Sequence, residues 1–187
     1  MPQEVEARVK EIIPRTYNVK SFRFDVGQVV TFKAGQFLCA TLKTEASCKR
    51  YLSISNSPTE TGYIEFTKKI TNSDFSKALE ALKIGDVLYI NYPSGNFILK
   101  DPKEKAAFLS GGIGITPIRS ICKYVVDTNL GTDMVLLYAN RTIGDIVFKE
   151  DFEVMQRDYP RLRVCHVLSE PAPGFKCAHG RIDSGLI

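Results

Sequence analysis

The sequence predicts a β plus α/β molecule: a six-stranded antiparallel β-barrel over residues 1–100, followed by a parallel α/β unit over residues 104–187. Three observations carry this prediction. Short alternating runs broken by Pro and Gly fill the first half, and strand and helix patterns alternate through the second. Between them, SGGIGITP at 110–117 follows the apolar run Ala106, Ala107, Phe108, Leu109 and precedes the helical spacing Ile118, Ile121, Cys122, Val125. That is a strand, a glycine turn and a helix start in succession.

In the first half the expected strands are 5–13, 19–24, 36–42, 50–55, 63–69 and 87–91, separated at Pro14, Gly27, Gly35, Pro58, Gly62 and Gly85. One helix is expected here, over 75–82, with Phe75, Leu79 and Leu82 on one side and Gly85-Asp86 just beyond its end. After LKDPKEK the expected order is strand 106–110, helix 117–127, strand 134–139, helix 148–157 and strand 162–168, which implies parallel strands with right-handed crossovers. PAPGFKCAHGRIDSGLI then follows without a regular pattern. Three parallel strands and two helices make a small sheet whose first strand has an open edge, so a chain shortened before its last elements is expected.

Composition narrows the class. With 44% hydrophobic and 25% charged residues, the 187-residue chain reads as globular. Its net charge of +4 is mild and scattered, without the basic stripe and exposed aromatics of nucleic-acid binders. No apolar run reaches a membrane span, and MPQEVEARVK is acidic where a signal peptide is basic, so a cytoplasmic protein is expected. The five cysteines show no iron–sulfur or zinc spacing and read as reduced and mostly packed. Cys165, His166, Cys177 and His179 are metal-ligating types, but Cys165 and His166 adjoin on an expected strand and should face opposite ways, so no metal site is expected. Neither histidine lies in a recognisable Ser/His/Asp or Cys/His setting.

Two helix starts suit anions. Gly111, Gly112 and Gly114 let the backbone turn tightly beside a ligand, Thr116 is expected to cap the helix and Pro117 to occupy its first turn. Free N–H groups at the positive helix end then suit a phosphate, although a glycine connection that binds nothing explains the same residues. Asn72-Ser73-Asp74-Phe75-Ser76 forms a second such start, which Ser73 or Asp74 as an ordinary cap also explains. Upstream, Lys49 to Pro58 places Arg50, suited to pair with a phosphate, and Ser53, suited to bond a heterocycle nitrogen, along one strand.

With these segments in place, the chain resembles the ferredoxin–NADP reductase family of flavoprotein oxidoreductases from its first strand to its last residue. FKAGQF at 32–37, RYLS at 50–53 leading into SNSP, SDFS at 73–76, LKIGD at 82–86, PSGNF at 93–97, GGIGITP at 111–117, LLYANRT at 136–142 and HGRI at 179–182 occur in the family's order. The resemblance implies an FAD-binding barrel. Arg50 would hold the FAD diphosphate, Ser53 would face the flavin N5, and Thr67, Lys68 and Lys69 would run beside the ribityl chain. Ser73, Asp74, Phe75 and Ser76 would add a helix start for the diphosphate. The family's motif is Arg, any residue, Tyr or Phe, then Ser. Here Leu52 stands at the aromatic position, which forfeits stacking worth roughly 0.5–1.5 kcal/mol, and Tyr51 is one position off and should face the other way.

In the second half the resemblance assigns GGIGITP to NADPH or NADH, with Thr116 near the point where nicotinamide meets flavin. The next strand ends at Asn140-Arg141-Thr142, where a basic residue suits the extra phosphate of NADP and an acidic one the free ribose of NAD, so Arg141 favours NADPH, with Asp145 close behind. The implied activity is hydride transfer between NAD(P)H and FAD, followed by single-electron delivery to ferredoxin, flavodoxin, a cytochrome or an oxygenase component. Ser53 and Thr116 are the residues nearest the chemistry, which needs positioning more than acid, base or metal. The runner-up is a non-catalytic or weakly catalytic electron-transfer subunit of a larger redox complex. Because the family's chain continues past GRI, a chain ending here is expected to bind FAD but to bind and turn over pyridine nucleotide weakly.

Overall fold

Alternating apolar residues build β1 (Gln3–Thr16), which serves two neighbours in turn: Gln3–Arg8 pairs with β6 (Val87–Ser94) and Arg8–Thr16 with β2 (Val19–Asp25). The computed structural model describes residues 3–42, 48–100 and 105–186, so the linker positions 101–104 lie outside the described residues. Pro14 was expected to end β1, yet the strand runs through it. Past Arg8 β1 is paired on one side only, where a missing N–H is tolerated, and a register shift between Pro14 and Thr16 takes up the ring.

With β3 (Phe37–Leu42), β4 (Cys48–Ser53) and β5 (Ile64–Lys69), the sheet runs β4-β3-β6-β1-β2-β5, antiparallel at every pairing. Its two outer strands approach each other at the Ile54↔Phe66 bridge, which closes the sheet on itself. Inside, Phe22, Phe24, Leu38, Ile54, Ile64, Phe66, Leu88 and Ile90 are fully buried, with the Phe24 and Phe66 rings stacked at 5.1 Å. Each such side chain contributes about 1.5–3 kcal/mol. The expected helix is α1 (Asp74–Ala81), one residue earlier than read, because Ser73 is its N-cap and accepts from the Ser76 N–H. Phe75 and Leu79 turn inward from it.

The second unit comprises β7 (Ala106–Gly111), a 3-10 turn at Gly112–Gly114, α2 (Ile115–Thr128), β8 (Met134–Asn140), a 3-10 turn at Ile143–Asp145, α3 (Lys149–Asp158), β9 (Leu162–Leu168) and β10 (Ala178–His179). Four parallel strands form the sheet, in the order β10-β9-β8-β7, where three were expected. The extra strand is two residues pairing with Val167 and Leu168, too short to leave a period in sequence. β7 lies at the edge of the described sheet. Met134, Leu136 and Tyr138 are buried toward α2 and α3, whereas on the opposite face Leu109 and Val135 are 55% and 40% exposed. No helix among the described residues is long and apolar enough to cross a membrane.

The two sheets are joined through the FKAGQF segment and α2. Gly35 has φ +93°, and a Cβ there would lie 2.0 Å from the Phe97 carbonyl oxygen and 2.9 Å from Ile121 Cδ1, so only glycine fits.

Candidate functional site

On the barrel, the residues expected to hold a diphosphate gather at one place. The Arg50 guanidinium lies 5.8 Å from the centre of the Phe75 ring and close enough to Lys68 to help burial lower that ammonium's pKa. No carboxylate pairs with either cation among the described residues, so two positive charges converge where an anion would relieve them. Phe75 and Ser76 are buried and the Ser76 hydroxyl is engaged by Ser73 and Thr71, so their side chains are not free for a ligand. What α1 offers instead is its first N–H groups, at Asp74 and Phe75.

Along the strand leading to this cluster, adjacent side chains turn opposite ways, as expected of Leu52 and Tyr51. Leu52 is paired with the fully buried Leu38 and packs against the barrel core, while Tyr51 stands 74% exposed, edge-on to Phe37. Neither residue replaces the other, and Ser53 lies half-buried at the strand's end. The Thr67 hydroxyl, expected beside a cofactor, is instead buried between Ser21 at 2.6 Å and Ser55 at 2.9 Å. At the end of β5 the exposed side chain is Lys69.

Across from β5 sits the glycine turn, which packs against that strand. Gly112 has φ +50°, and a Cβ on Gly111 or Gly112 would meet nothing within 4 Å, so the turn faces open space. Thr116 does not cap the helix. α2 begins at Ile115, which puts Thr116 in the second helical position, 6% exposed, with its hydroxyl donating to the Ile113 carbonyl at 3.3 Å. Pro117 keeps its expected place in the first turn; the Gly112–Gly114 turn runs into α2, so the Ile115 N–H already donates to the Gly112 and Ile113 carbonyls and any anion is met by the glycine N–H groups ahead of it.

Beneath the turn lie buried polar atoms without hydrogen bonds: Ser110 Oγ and both amide atoms of Asn140, at the carboxyl ends of β7 and β8. Such atoms are costly unless something completes them, and the crevice at the carboxyl ends of parallel strands is where nucleotides bind. Tyr138 holds the turn from below, its hydroxyl donating to the Gly112 carbonyl at 3.1 Å and accepting from the Val147 N–H at 3.3 Å. Burial raises the Tyr138 pKa despite the nearby Asn140 amide. Orphaned polar atoms and an unfilled glycine cradle together fit a nucleotide.

A cleft of about 340 Å³ opens here, bringing Lys69, Gly112, Asn140 and Arg141 together. Thr142 stands at its rim and binds Asp145 through its N–H at 3.0 Å and its hydroxyl at 2.7 Å. Those bonds, chiefly the hydroxyl's, hold the Asp145 carboxyl below the usual carboxylate range. From the β1–β2 turn, the Tyr17 hydroxyl reaches over to Asp145 at 3.1 Å. The cleft also contains Asn18, Ser169, Gly180 and Arg181, which were not singled out as site residues; of these, only Gly180 and Arg181 had a signal, inside HGRI.

The cleft's two walls are held by Arg119, which no motif in the chain marks. Only 4% exposed, it reaches from α2 to Glu60 and to Asp151 at 2.8 Å, and donates to the Ser55 carbonyl at 3.2 Å. Beside it, Ser120 donates to the Asn56 carbonyl at 2.7 Å. These bonds fix the turn that follows Ser53 against the helix that begins beside Thr116. Burial opposes the Arg119 charge, but its bond to Glu60 and the surrounding carboxylates raise its pKa above the ordinary value.

Of the cysteines, expected to be mostly packed, Cys122 is buried, Cys39, Cys48 and Cys177 are half-buried and Cys165 is exposed. His166 faces the other way, between the rings of Tyr138 and Phe175 at 6.0 and 5.5 Å, and burial lowers its pKa. Among the described residues no group of three or more His, Cys, Asp or Glu side chains is placed to hold a metal.

Comparison with known proteins matches two family models to the chain. Residues 6–98 match the oxidoreductase FAD-binding domain and residues 108–187 the oxidoreductase NAD-binding domain. The glycine betaine monooxygenase reductase subunit of Chromohalobacter salexigens is 32% identical over 182 residues, covering 90% of this chain and 49% of that protein. An inducible NADH nitrate reductase of Glycine max is 31% identical over 92% of this chain but 22% of its own length. The chain thus spans half or less of the length of these relatives. Among solved structures, the cytochrome b5 reductase domain of Ulva prolifera nitrate reductase superposes with a TM-score of 0.87 at 25% identity, covering 98% of this chain and 80% of that one. A ferredoxin NADP+ reductase from Neisseria gonorrhoeae, with bound FAD and NADP, shares the fold with a TM-score of 0.81 at 17% identity, over 95% of this chain and 73% of that one.

Proposed function

The chain belongs to the ferredoxin–NADP reductase-like family of flavoprotein oxidoreductases, and from that premise we propose that it moves electrons from NAD(P)H through FAD to a redox protein. In this reading residues 1–100 hold FAD and residues 104–187 the nicotinamide nucleotide. FAD, when bound, supplies a centre that takes a hydride and gives up electrons one at a time.

The chain's own residues bind and position. Arg50, Lys68 and the leading N–H groups of α1 neutralise the FAD diphosphate, while Ser53 and the backbone of Thr67–Lys69 line the edge of the barrel beside it. Leu52 and Tyr51 flank that strand without the stacking that an aromatic residue at 52 would add. Gly111, Gly112 and Gly114 present backbone N–H groups to the nucleotide diphosphate at the turn that leads into α2, with Thr116 and Pro117 behind them in the helix's first turn. Asn140 and Ser110 complete their hydrogen bonds on the nucleotide, and Arg141 and Thr142 border its ribose. Positioning is the principal contribution, and Arg119 and Ser120 provide it by fixing one cofactor's wall against the other's.

The observation that carries the reading is the juxtaposition of an unpaired cation pair on the barrel with orphaned polar atoms beneath a glycine turn, in one two-walled molecule. The partner is a redox protein such as ferredoxin, flavodoxin, a cytochrome or an oxygenase component; similarity to an oxygenase reductase subunit favours the last.

The test is the visible spectrum of the FAD-reconstituted protein before and after anaerobic addition of excess NADH or NADPH. A flavin band that falls on addition, even slowly, supports the reductase. A bound flavin that responds to dithionite and to neither nucleotide would leave an electron-transfer subunit, and failure to retain flavin would refute both.

A further inference from the structure

The Gly112 carbonyl is held from two directions. It accepts from the Ile115 N–H, at the start of α2, and from the Tyr138 hydroxyl at 3.1 Å. Both partner residues are fully buried, whereas Gly112 and Ile113 line the cleft and a Cβ on Gly112 would meet nothing within 4 Å. In a trans peptide the carbonyl and the following N–H point in opposite directions. Fixing the Gly112 oxygen inward therefore turns the Ile113 N–H outward.

We infer that Tyr138 is a positioning residue whose hydroxyl locks the Gly112–Ile113 peptide with its N–H facing the cleft, where that N–H serves a nucleotide diphosphate. This deepens the nucleotide-cleft reading and rests on it. The turn alone holds the peptide plane weakly. Gly112, at φ +50°, has no side chain to oppose rotation of the peptide, and the Ile115 N–H, shared between the Gly112 and Ile113 carbonyls, keeps a partner if the peptide rotates. The rotated form would set a carbonyl oxygen against an anion.

The direction of the lock follows from the second bond of the hydroxyl. It accepts from the Val147 N–H at 3.3 Å, which can only donate, and its one proton goes to Gly112. Rotation would take that acceptor away in a fully buried setting, which is costly. Val147 is anchored in turn. It is buried, and Phe148 beside it holds φ +60°, a left-handed conformation that a bulky residue keeps only where its surroundings impose it. The guanidinium groups of Arg15 from β1 and Arg119 from α2 lie 4.9 and 5.5 Å from the centre of the Phe148 ring. The lock is thus seated where the two sheets meet.

The experiment is a nuclear magnetic resonance titration of the protein and of Tyr138→Phe with ADP and with adenosine, which lacks the diphosphate. The Asn140 and Gly180 backbone amides report occupancy of the cleft. The substitution keeps the ring, tilted against Phe152 and His166, and removes only the hydroxyl. Y138F should bind ADP about 10- to 100-fold more weakly, the worth of one hydrogen bond to a charged group, and adenosine unchanged. A tyrosine with a merely structural role would leave both affinities in place or lower both alike. Either result overturns the inference, while ADP binding by the unsubstituted protein still upholds the cleft. Amide hydrogen exchange of the unsubstituted protein gives a second reading that needs no variant. The Ile113 N–H should exchange freely without ligand and become protected with ADP; slow exchange before ADP, or no protection with it, also overturns the inference. Absence of cleft shifts with ADP in the unsubstituted protein overturns the inference together with the nucleotide-cleft reading.

Discussion

Replacing Arg119 with Gln should cost the protein about 3–5 kcal/mol, because it removes one member of a buried charge cluster and leaves the others uncompensated. The arginine is 4% exposed and makes hydrogen bonds to Glu60, to Asp151 through Nε at 2.9 Å and Nη2 at 2.8 Å, and to the Ser55 carbonyl. Its partners are themselves mostly covered, with 17% of the Glu60 and 24% of the Asp151 side chain accessible. Glutamine can satisfy at most one of them and brings no charge. With a urea m-value of about 2 kcal/mol/M, the unfolding midpoint should fall by roughly 1.5–2.5 M.

The pH dependence has a definite sign. Burial alone would raise the Glu60 pKa, but the Arg119 hydrogen bond and charge hold it below the ordinary value of 4.5. A carboxyl with a depressed folded-state pKa stabilises the fold above its unfolded pKa and loses that contribution as pH falls through the folded one. The gap between the protein and R119Q should therefore be full at neutral pH and narrow progressively below about pH 4.5. Urea titrations followed by circular dichroism at several pH values measure this directly. A midpoint within about 0.3 M of the unsubstituted protein, or a gap that does not narrow in acid, would refute the assignment of Arg119 as the clasp between the two sheets.

Four further outcomes follow from single side chains. Gly35→Ala should cost about 3 kcal/mol or more in thermal or chemical unfolding, because its Cβ meets the Phe97 carbonyl and Ile121 at positive φ, whereas Gly27→Ala, at φ +65° with nothing within 4 Å, should cost about 1 kcal/mol. Ser73→Ala should lose about 1 kcal/mol through the missing cap of α1, read by the same method. Arg50→Gln should weaken FAD binding about 10- to 100-fold in a fluorescence titration, the worth of charge-assisted hydrogen bonds, and leave the urea midpoint in place because no carboxylate pairs with it among the described residues. Asn140→Leu should stabilise the fold by up to about 1 kcal/mol by removing two orphaned polar atoms, while weakening the binding of 5′-AMP in a nuclear magnetic resonance titration.

The parts of the fold that were legible in sequence are those set by local chemistry. Alternation in the segments around Phe22, Leu38 and Phe66 fixes which faces turn inward, and the spacing of Phe75 and Leu79 marks a helix. What escaped depends on distant partners. Pro14 looked like a strand end because nothing local tells that β1 has lost one neighbour by then. Thr116 has the chemistry of a cap, yet the Gly112–Gly114 turn starts the helix earlier and draws its hydroxyl onto Ile113. β10 owes its existence to β9 alone. In the site, the glycine turn and Arg50 could be read from residue type and spacing. The role of Arg119 could not, since Glu60 lies 59 residues away from it.

The central claim is that the barrel holds FAD by its diphosphate, and a crystal structure of the protein grown with FAD tests it most directly. The account predicts that diphosphate between the Arg50 guanidinium, the Lys68 ammonium and the first N–H groups of α1, with the flavin ring toward Ser53 and the glycine turn. Flavin bound elsewhere, or electron density showing Arg50 turned to solvent with no diphosphate beside it at saturating FAD, would contradict it.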